Sequence, residues 1–395
     1  MSKPEPVSAA AMLWVAVYAT ALCAGVLVAG EFLPVSLLSP IAQDFGISEG
    51  QAGRAISISG LFAVITSLTI APLTGRIDRR HVVAGFVLAL ALSCVIVGFA
   101  NNFPLLLLGR ALLGIAVGGF WAFSTATVMR LLPPQHLAAG LALVSSWIAV
   151  ATTFSAPLAS ILGATIGWRN TVLLMAPVAG LACLWLWTSL PAMPPDRAAA
   201  RRNPFGLFRQ SQVQLAMTAV ALSFMGQFAI FTYIRPFLEG VTGLSVQMLS
   251  AVLLGLGIAG IAGTWWVGRA LRTDPFRPLI MLPLVLALIA CGLVLCGSIP
   301  WAVGALFIAW GFVSSAAPVG WGLWLSRALP DDAEVAGGLQ VAVIQLAIAL
   351  GALFGGVLLD LLGWQAQFGA GIICLVGSAG FAALTARDLR SVPAR

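Results

Sequence analysis

Long apolar runs, separated by short polar or Pro/Gly-containing breaks, dominate the chain, and within each run the apolar residues are continuous rather than alternating. A helix needs roughly 20 such residues to cross the hydrocarbon core of a bilayer, whereas a membrane β-barrel alternates apolar and polar positions. The breaks predict spans at 12–38, 50–74, 82–100, 104–128, 138–164 and 169–190, then at 213–238, 246–268, 278–298, 301–325, 336–360 and 365–386. The pattern therefore predicts an all-α polytopic membrane protein of twelve transmembrane helices with both termini on one side. The first run holds Glu31 and closes with Pro34 and Pro40. It lacks a short apolar core followed by a small-residue cleavage site, so it reads as a retained first span.

The longest break, Pro191 to Gln212, is rich in Pro, Ala and Arg and falls near the midpoint. Short patterns recur on either side of it. Arg130-Leu131-Leu132-Pro133 returns as Arg327-Ala328-Leu329-Pro330, and Gly46-Ile47-Ser48 as Gly243-Leu244-Ser245, both at an offset of 197. Gly167-Trp168 returns as Gly363-Trp364 at 196. The expected organisation is a six-helix bundle over 1–190, a cytoplasmic linker over 191–212 and a second six-helix bundle over 213–395. A pseudo-twofold would relate the bundles, the plan of a secondary transporter whose site lies between its halves.

Composition agrees. Residues of the AVILMFWYC set make up 60% of the 395 positions and charged residues 8%, whereas soluble domains carry about 25% charge. A soluble enzyme, a disordered scaffold and a nucleic-acid binder are thereby excluded. The formal net charge is +7, but its basic residues sit in separate breaks. With a cytoplasmic N-terminus, sixteen of the twenty Lys and Arg residues fall on the cytoplasmic side, and only Arg54, Arg169 and Arg235 on the outer side. That bias orients the chain with both termini in the cytoplasm. The six cysteines lie inside apolar stretches without a CxxC pair, and both histidines, His81 and His136, lie in loops. No metal, cofactor or catalytic constellation is expected.

Glu31 is the acidic residue placed well inside a span, and Arg110 is the basic one. A charge at membrane depth costs at least about 2.5–3.5 kcal/mol on insertion scales, so such residues are functional by default. A carboxyl group there can bind and release a proton as access changes sides. The alternative is a structural ion pair or a hydrogen-bonded carboxylate. Glu31 precedes the outer end of span 1 by seven residues and Arg110 follows the outer end of span 4 by six. Both lie on the order of 10 Å deep at 1.5 Å per residue, a match that permits a salt bridge. For Arg110 the alternative is a packing anchor bonded to backbone carbonyls. Gly114/Gly118, Gly163/Gly167 and Gly351/Gly355 have the spacing that lets helices approach closely.

The segment Glu31-Phe32-Leu33-Pro34 with Pro40-Ile41-Ala42-Gln43-Asp44-Phe45-Gly46-Ile47-Ser48 resembles the twelve-span drug:proton antiporters of the major facilitator superfamily. Leu107-Leu108-Gly109-Arg110-Ala111-Leu112-Leu113-Gly114 resembles that superfamily's fourth-span motif. More narrowly, Gly118-Gly119-Phe120-Trp121-Ala122, Gly226-Gln227-Phe228, Phe231-Thr232-Tyr233-Ile234-Arg235-Pro236 and the segment from Gln340 to Leu346 resemble bacterial purine ribonucleoside efflux pumps. Two places depart from the superfamily pattern. The loop Gly75-Arg76-Ile77-Asp78-Arg79-Arg80 lacks the second glycine, and Ala156-Pro157 stands where Gly-Pro is usual.

The resemblance implies a proton antiporter of the bacterial inner membrane that exports inosine- and guanosine-type nucleosides. Sugar or multidrug efflux is the alternative, and a proton-coupled importer a more distant one. Its partners would be the small-molecule substrate, protons and lipid, with the chain acting as a monomer. Proton coupling falls to Glu31 and Arg110. A purine offers a π-face and an edge of donors and acceptors, so Trp121, Trp147, Gln227, Phe231, Tyr233 and Gln345 are the candidate binding residues, with lipid contact or helix packing as the alternative for each aromatic. Gly75, Asp78, Arg79, Arg80 and Pro157 are the candidate gating residues. Arg235 is expected to snorkel at the outer interface.

Overall fold

The computed structural model describes residues 7–74, 76–194, 204–273, 277–328 and 333–391. Twelve helices among them are long and apolar enough to cross a membrane. The first six are α1 (Val7–Phe45), α2 (Glu49–Leu73), α3 (Arg79–Gly98), α4 (Phe103–Leu131), α5 (Pro134–Ile166) and α6 (Trp168–Ser189). After a 3-10 turn at Pro204–Arg209 come α7 (Ser211–Phe231), α8 (Ile234–Gly240), α9 (Val246–Thr273), α10 (Arg277–Cys296), α11 (Pro300–Ser314), α12 (Ala316–Ala328), α13 (Ala333–Leu362) and α14 (Trp364–Ser391). Spans seven and ten are each made of two helices, α7 with α8 and α11 with α12. Pro236 and Pro318 fall in the first turn of the second piece, where a missing N–H has no helical acceptor to serve.

The helix ends follow local chemistry. Ser48 caps α2 in a reciprocal box with Gln51, and Asp78 and Asn102 cap α3 and α4. The four positive-φ residues described are all glycines, and they form two pairs at the repeat offsets: Gly46 (63°) with Gly243 (72°), and Gly167 (84°) with Gly363 (84°). Each pair turns the chain at matching points of the two halves, because only glycine takes this backbone without steric cost.

Within the first half α1 packs on α5, α2 on α4 and α3 on α6; within the second, α7 packs on α13 and α14, α9 on α11 and α10 on α14. The halves meet through α2 on α13, α5 on α9 and α1 on α8. Gly114 and Gly118 lie so close to α2 that an added Cβ would come within 2.1 Å of the Ser59 and Ala63 carbonyls. Gly351 and Gly355 lie similarly against α7. Gly167 packs against nothing and serves as a turn, so the Gly163/Gly167 spacing does not mark a packing stripe.

The first helix differs from expectation. It runs unbroken to Phe45, through Pro34 and Pro40, where the apolar pattern suggested an end near 38. The carbonyls these prolines leave without helical donors find other partners, which is the condition for proline inside a membrane helix.

Candidate functional site

With twelve spans, the bundle has one end carrying both termini and a distal end. Near the middle, Glu31 on α1 faces the second half. Its Oε1 accepts a hydrogen bond from Gln345 Nε2 on α13 at 3.1 Å. Glu31, Phe32, Val35, Ile56, Ser59, Gly60, Arg110, Phe228 and Ile348 line a narrow pocket between the halves, with water-sized free space inside it. One wall is aromatic. The Phe32 ring is 6.1 Å from Phe228 and 6.2 Å from Phe231, and the latter two are 5.8 Å apart at an edge-to-face angle. The repeat offset of 197 pairs Glu31 with Phe228 and Arg110 with Phe307. The first half thus brings the charges, and the second brings rings at the corresponding positions.

Arg110 is 4% exposed and does not form the expected ion pair with Glu31. Its Nη1 donates to the Gly30 carbonyl at 3.0 Å, Nε to the Ala55 carbonyl at 3.1 Å and Nη2 to the Glu31 backbone oxygen at 3.4 Å. The Gly30 carbonyl stands four residues before Pro34 and so lacks a helical donor. A guanidinium with five fixed donors meets this need well. The matching depth of the two residues is real, but it brings Arg110 to the backbone of span 1 rather than to its carboxylate.

The other predicted residues divide. Gln345 and Phe231 join the Glu31 cluster. Gln227 is buried, and its Nε2 bonds Ser223 Oγ within α7 at 3.1 Å. Trp121 stands eleven residues beyond Arg110, about 16 Å along α4, and packs edge-on against Phe120. Trp147 packs with the first-half core beside Gly25. Neither tryptophan lines the cavity. Tyr233 is 1% exposed, and its hydroxyl donates to the Ala352 carbonyl at 2.6 Å, wedged beside Gly53 and Gly356. Its position is one of helix packing rather than of the cavity wall. Phe32, Ser59 and Phe228 were missed. The repeat offset was the available signal for Phe228.

The distal end is drawn together by bonds between the halves. Asp360 accepts from Ser48 Oγ at 2.6 Å and from the Gly50 N–H at 3.1 Å. Deeper in the bundle, at about the level of Glu31, Thr153 Oγ1 on α5 donates to the Gly257 carbonyl on α9 at 3.2 Å, one turn before the buried Pro157. Arg235 does not snorkel. It is 4% exposed, donates to the Ser36 carbonyl of the first half and pairs with Glu239 Oε1 at 2.8 Å, because that carbonyl, four residues before Pro40, also lacks a helical donor. At the other end, Asp78 accepts from the Arg80 and Met193 N–H groups, and the Arg79 N–H donates to the Met193 carbonyl. The Arg79 guanidinium lies over Phe123 and that of Arg80 over Trp187. These contacts tie the loop to its own half. Gly75 lies outside the described residues.

The profile described as Major Facilitator Superfamily matches residues 20–340. The chain belongs to that superfamily. The chain is similar to the transcription regulatory protein OpdE of Pseudomonas aeruginosa, 48% identical over 382 residues, covering 95% of this chain and 94% of that one. The purine ribonucleoside efflux pump NepI of Salmonella paratyphi C is 45% identical over 348 residues, covering 88% and 87%. The crystal structure of a bacterial homologue of the human lysosomal transporter Spinster, inward-facing and unoccupied, superposes with a TM-score of 0.79 over the whole of both chains at 16% identity, a likeness of fold alone. This superfamily member is a multi-pass membrane transporter and not an enzyme.

Proposed function

We propose that the protein is a proton-coupled exporter of purine ribonucleosides of the inosine and guanosine type, working by alternating access in a bacterial inner membrane. The observation that carries this reading is the Glu31 carboxylate, held by Gln345 across the interface of the halves in a pocket that Phe32 and Phe228 also line, with Phe231 packed against both rings. Ring faces suit a base, and the carboxylate with the amide suits its edge of donors and acceptors. The 45% identity to a purine ribonucleoside efflux pump supports the substrate class. The distribution of Lys and Arg supports cytoplasmic termini and a periplasmic distal end.

In this mechanism the bundles 1–190 and 213–395 move as two bodies joined by the linker 191–212, and one chain suffices. With the distal end closed, ionised Glu31 accepts from Gln345 and from an N–H of the incoming nucleoside. Once the distal end opens, a proton takes the carboxylate, the charge that strengthened its bond to the nucleoside is lost and the nucleoside leaves. The protonated form returns and gives its proton to the cytoplasm. One carboxylate with two exclusive occupants makes the exchange obligatory. Arg110 acts by holding the backbone on which Glu31 is mounted.

The test is nucleoside accumulation in energised inverted vesicles, with and without a protonophore, with inosine, guanosine, arabinose and a lipophilic cation in competition. Protonophore-sensitive inosine uptake that the Glu31→Gln variant loses is expected. Full proton-coupled uptake by that variant would overturn the coupling role, and arabinose or the cation prevailing would replace the substrate. The 48% identity to a protein named as a transcription regulator favours a regulatory role as a second reading. A complete lack of flux by the wild type for every compound would turn the choice to it.

A further inference from the structure

Two prolines interrupt the hydrogen-bond ladder of α1, and each leaves the carbonyl four residues earlier without its helical donor. Pro34 frees Gly30, whose oxygen is taken by Arg110 of the same half. Pro40 frees Ser36, whose oxygen is taken by Nη1 of Arg235 from the other half. Arg235 sits at the start of α8, just past the break that divides span seven, and its Nε is fixed 2.8 Å from Glu239 Oε1. One buried guanidinium therefore holds a carboxylate of its own half with one edge and the backbone of span 1 with another.

We propose that Arg235 is the positioning residue of the distal closure, gripping span 1 at the carbonyl that Pro40 frees. Closure supplies that carbonyl with a charged donor. Opening exchanges the donor for water, which reaches the parted interface from the distal side. One hydrogen bond replaces another, so the two states stay close in free energy, as repeated cycling requires. The inference rests on the alternating-access reading, and it explains why the α7–α8 break lies where it does: a straight span seven would not turn this side chain toward Ser36.

The test compares wild type, Arg235→Met, Arg235→Lys, Pro40→Ala and the Arg235→Met/Pro40→Ala double variant, each full-length in nanodiscs. The readout is amide hydrogen exchange in peptides covering 44–52 and 354–363, at the distal ends of α1–α2 and α13. Arg235→Met is expected to speed exchange there roughly tenfold, the scale of one hydrogen bond to a charged donor, and the lysine variant to keep part of the protection. Pro40→Ala gives Ser36 a donor from its own helix, so it is expected to weaken the closure too, and the double variant to exchange no faster than the faster single one. In vesicles Arg235→Met is expected to lower kcat for inosine with KM unchanged, because the Glu31 cavity is untouched. Unchanged exchange in Arg235→Met, or full additivity in the double variant, would overturn the proposal. Should Arg235→Met fail to fold, Pro40→Ala, which adds a backbone bond, decides alone: unchanged exchange there overturns the proposal. Absence of nucleoside flux in the wild type sinks only the substrate reading, since the exchange comparison uses no substrate.

Discussion

Arg110 Nη1 lies 3.0 Å from the carbonyl oxygen of Gly30, an acceptor that Pro34 deprives of its helical donor. A buried charge that would be costly alone is thereby turned into backbone support beside Glu31. Arg110→Met is expected to destabilise the protein by about 1–3 kcal/mol, the cost of a buried polar group left unmet. Pro34→Ala in the same background restores an N–H to Gly30 and is expected to recover part of the loss. Melting midpoints of the three proteins in one detergent check both statements, and a double variant no more stable than Arg110→Met would refute the pairing.

Gly53 marks a contact with no room to spare. A Cβ built there would lie 1.9 Å from Tyr233 Oη, and one on Gly356 would lie 2.2 Å from it. Gly53→Ala is expected to keep α2 from seating on α13 and to cut transport roughly tenfold or more, an overpacking cost on the usual scale of 1–3 kcal/mol. Tyr233→Ala added to it removes the obstruction and is expected to restore flux, measured by initial rates in vesicles.

Proton exchange at Glu31 has a direct readout. Adding inosine to lightly buffered purified protein is expected to release protons when the ligand takes the carboxylate from a proton, and Glu31→Gln is expected to release none. Gln345→Leu removes the cross-half donor seen at 3.1 Å and is expected to weaken inosine binding while leaving proton release per bound ligand unchanged. A pH electrode and a calorimeter together give both quantities.

The aromatic wall makes a graded prediction. Phe228→Ala removes a ring that lines the cavity 6.1 Å from Phe32, and it is expected to weaken nucleoside binding by about 1–3 kcal/mol, roughly fivefold to 150-fold. Phe228→Trp keeps a π-face and is expected to bind within a few-fold of wild type. Trp121→Phe and Trp147→Phe, whose rings line no part of the cavity, are expected to leave the dissociation constant unchanged.

The chain itself determined everything that depends on position along one axis. Twelve spans, the repeat at 197 and the shared level of Glu31 and Arg110 all follow from run length, spacing and helical rise, whereas the turn at Gly167, read from its spacing as a packing contact, was decided by the fold. Partner choice did not, because it depends on the rotation of each helix about its axis and on its register against neighbours, which packing sets. Equal depth suggested that Arg110 would meet the Glu31 carboxylate; the rotation of α4 brought it to the Gly30 carbonyl instead. Outer-end position suggested that Arg235 would reach for the interface; the break after α7 turned it inward to Ser36. Gln345 and Glu31 are 314 residues apart, and only the docking of the two halves brings them to one hydrogen bond.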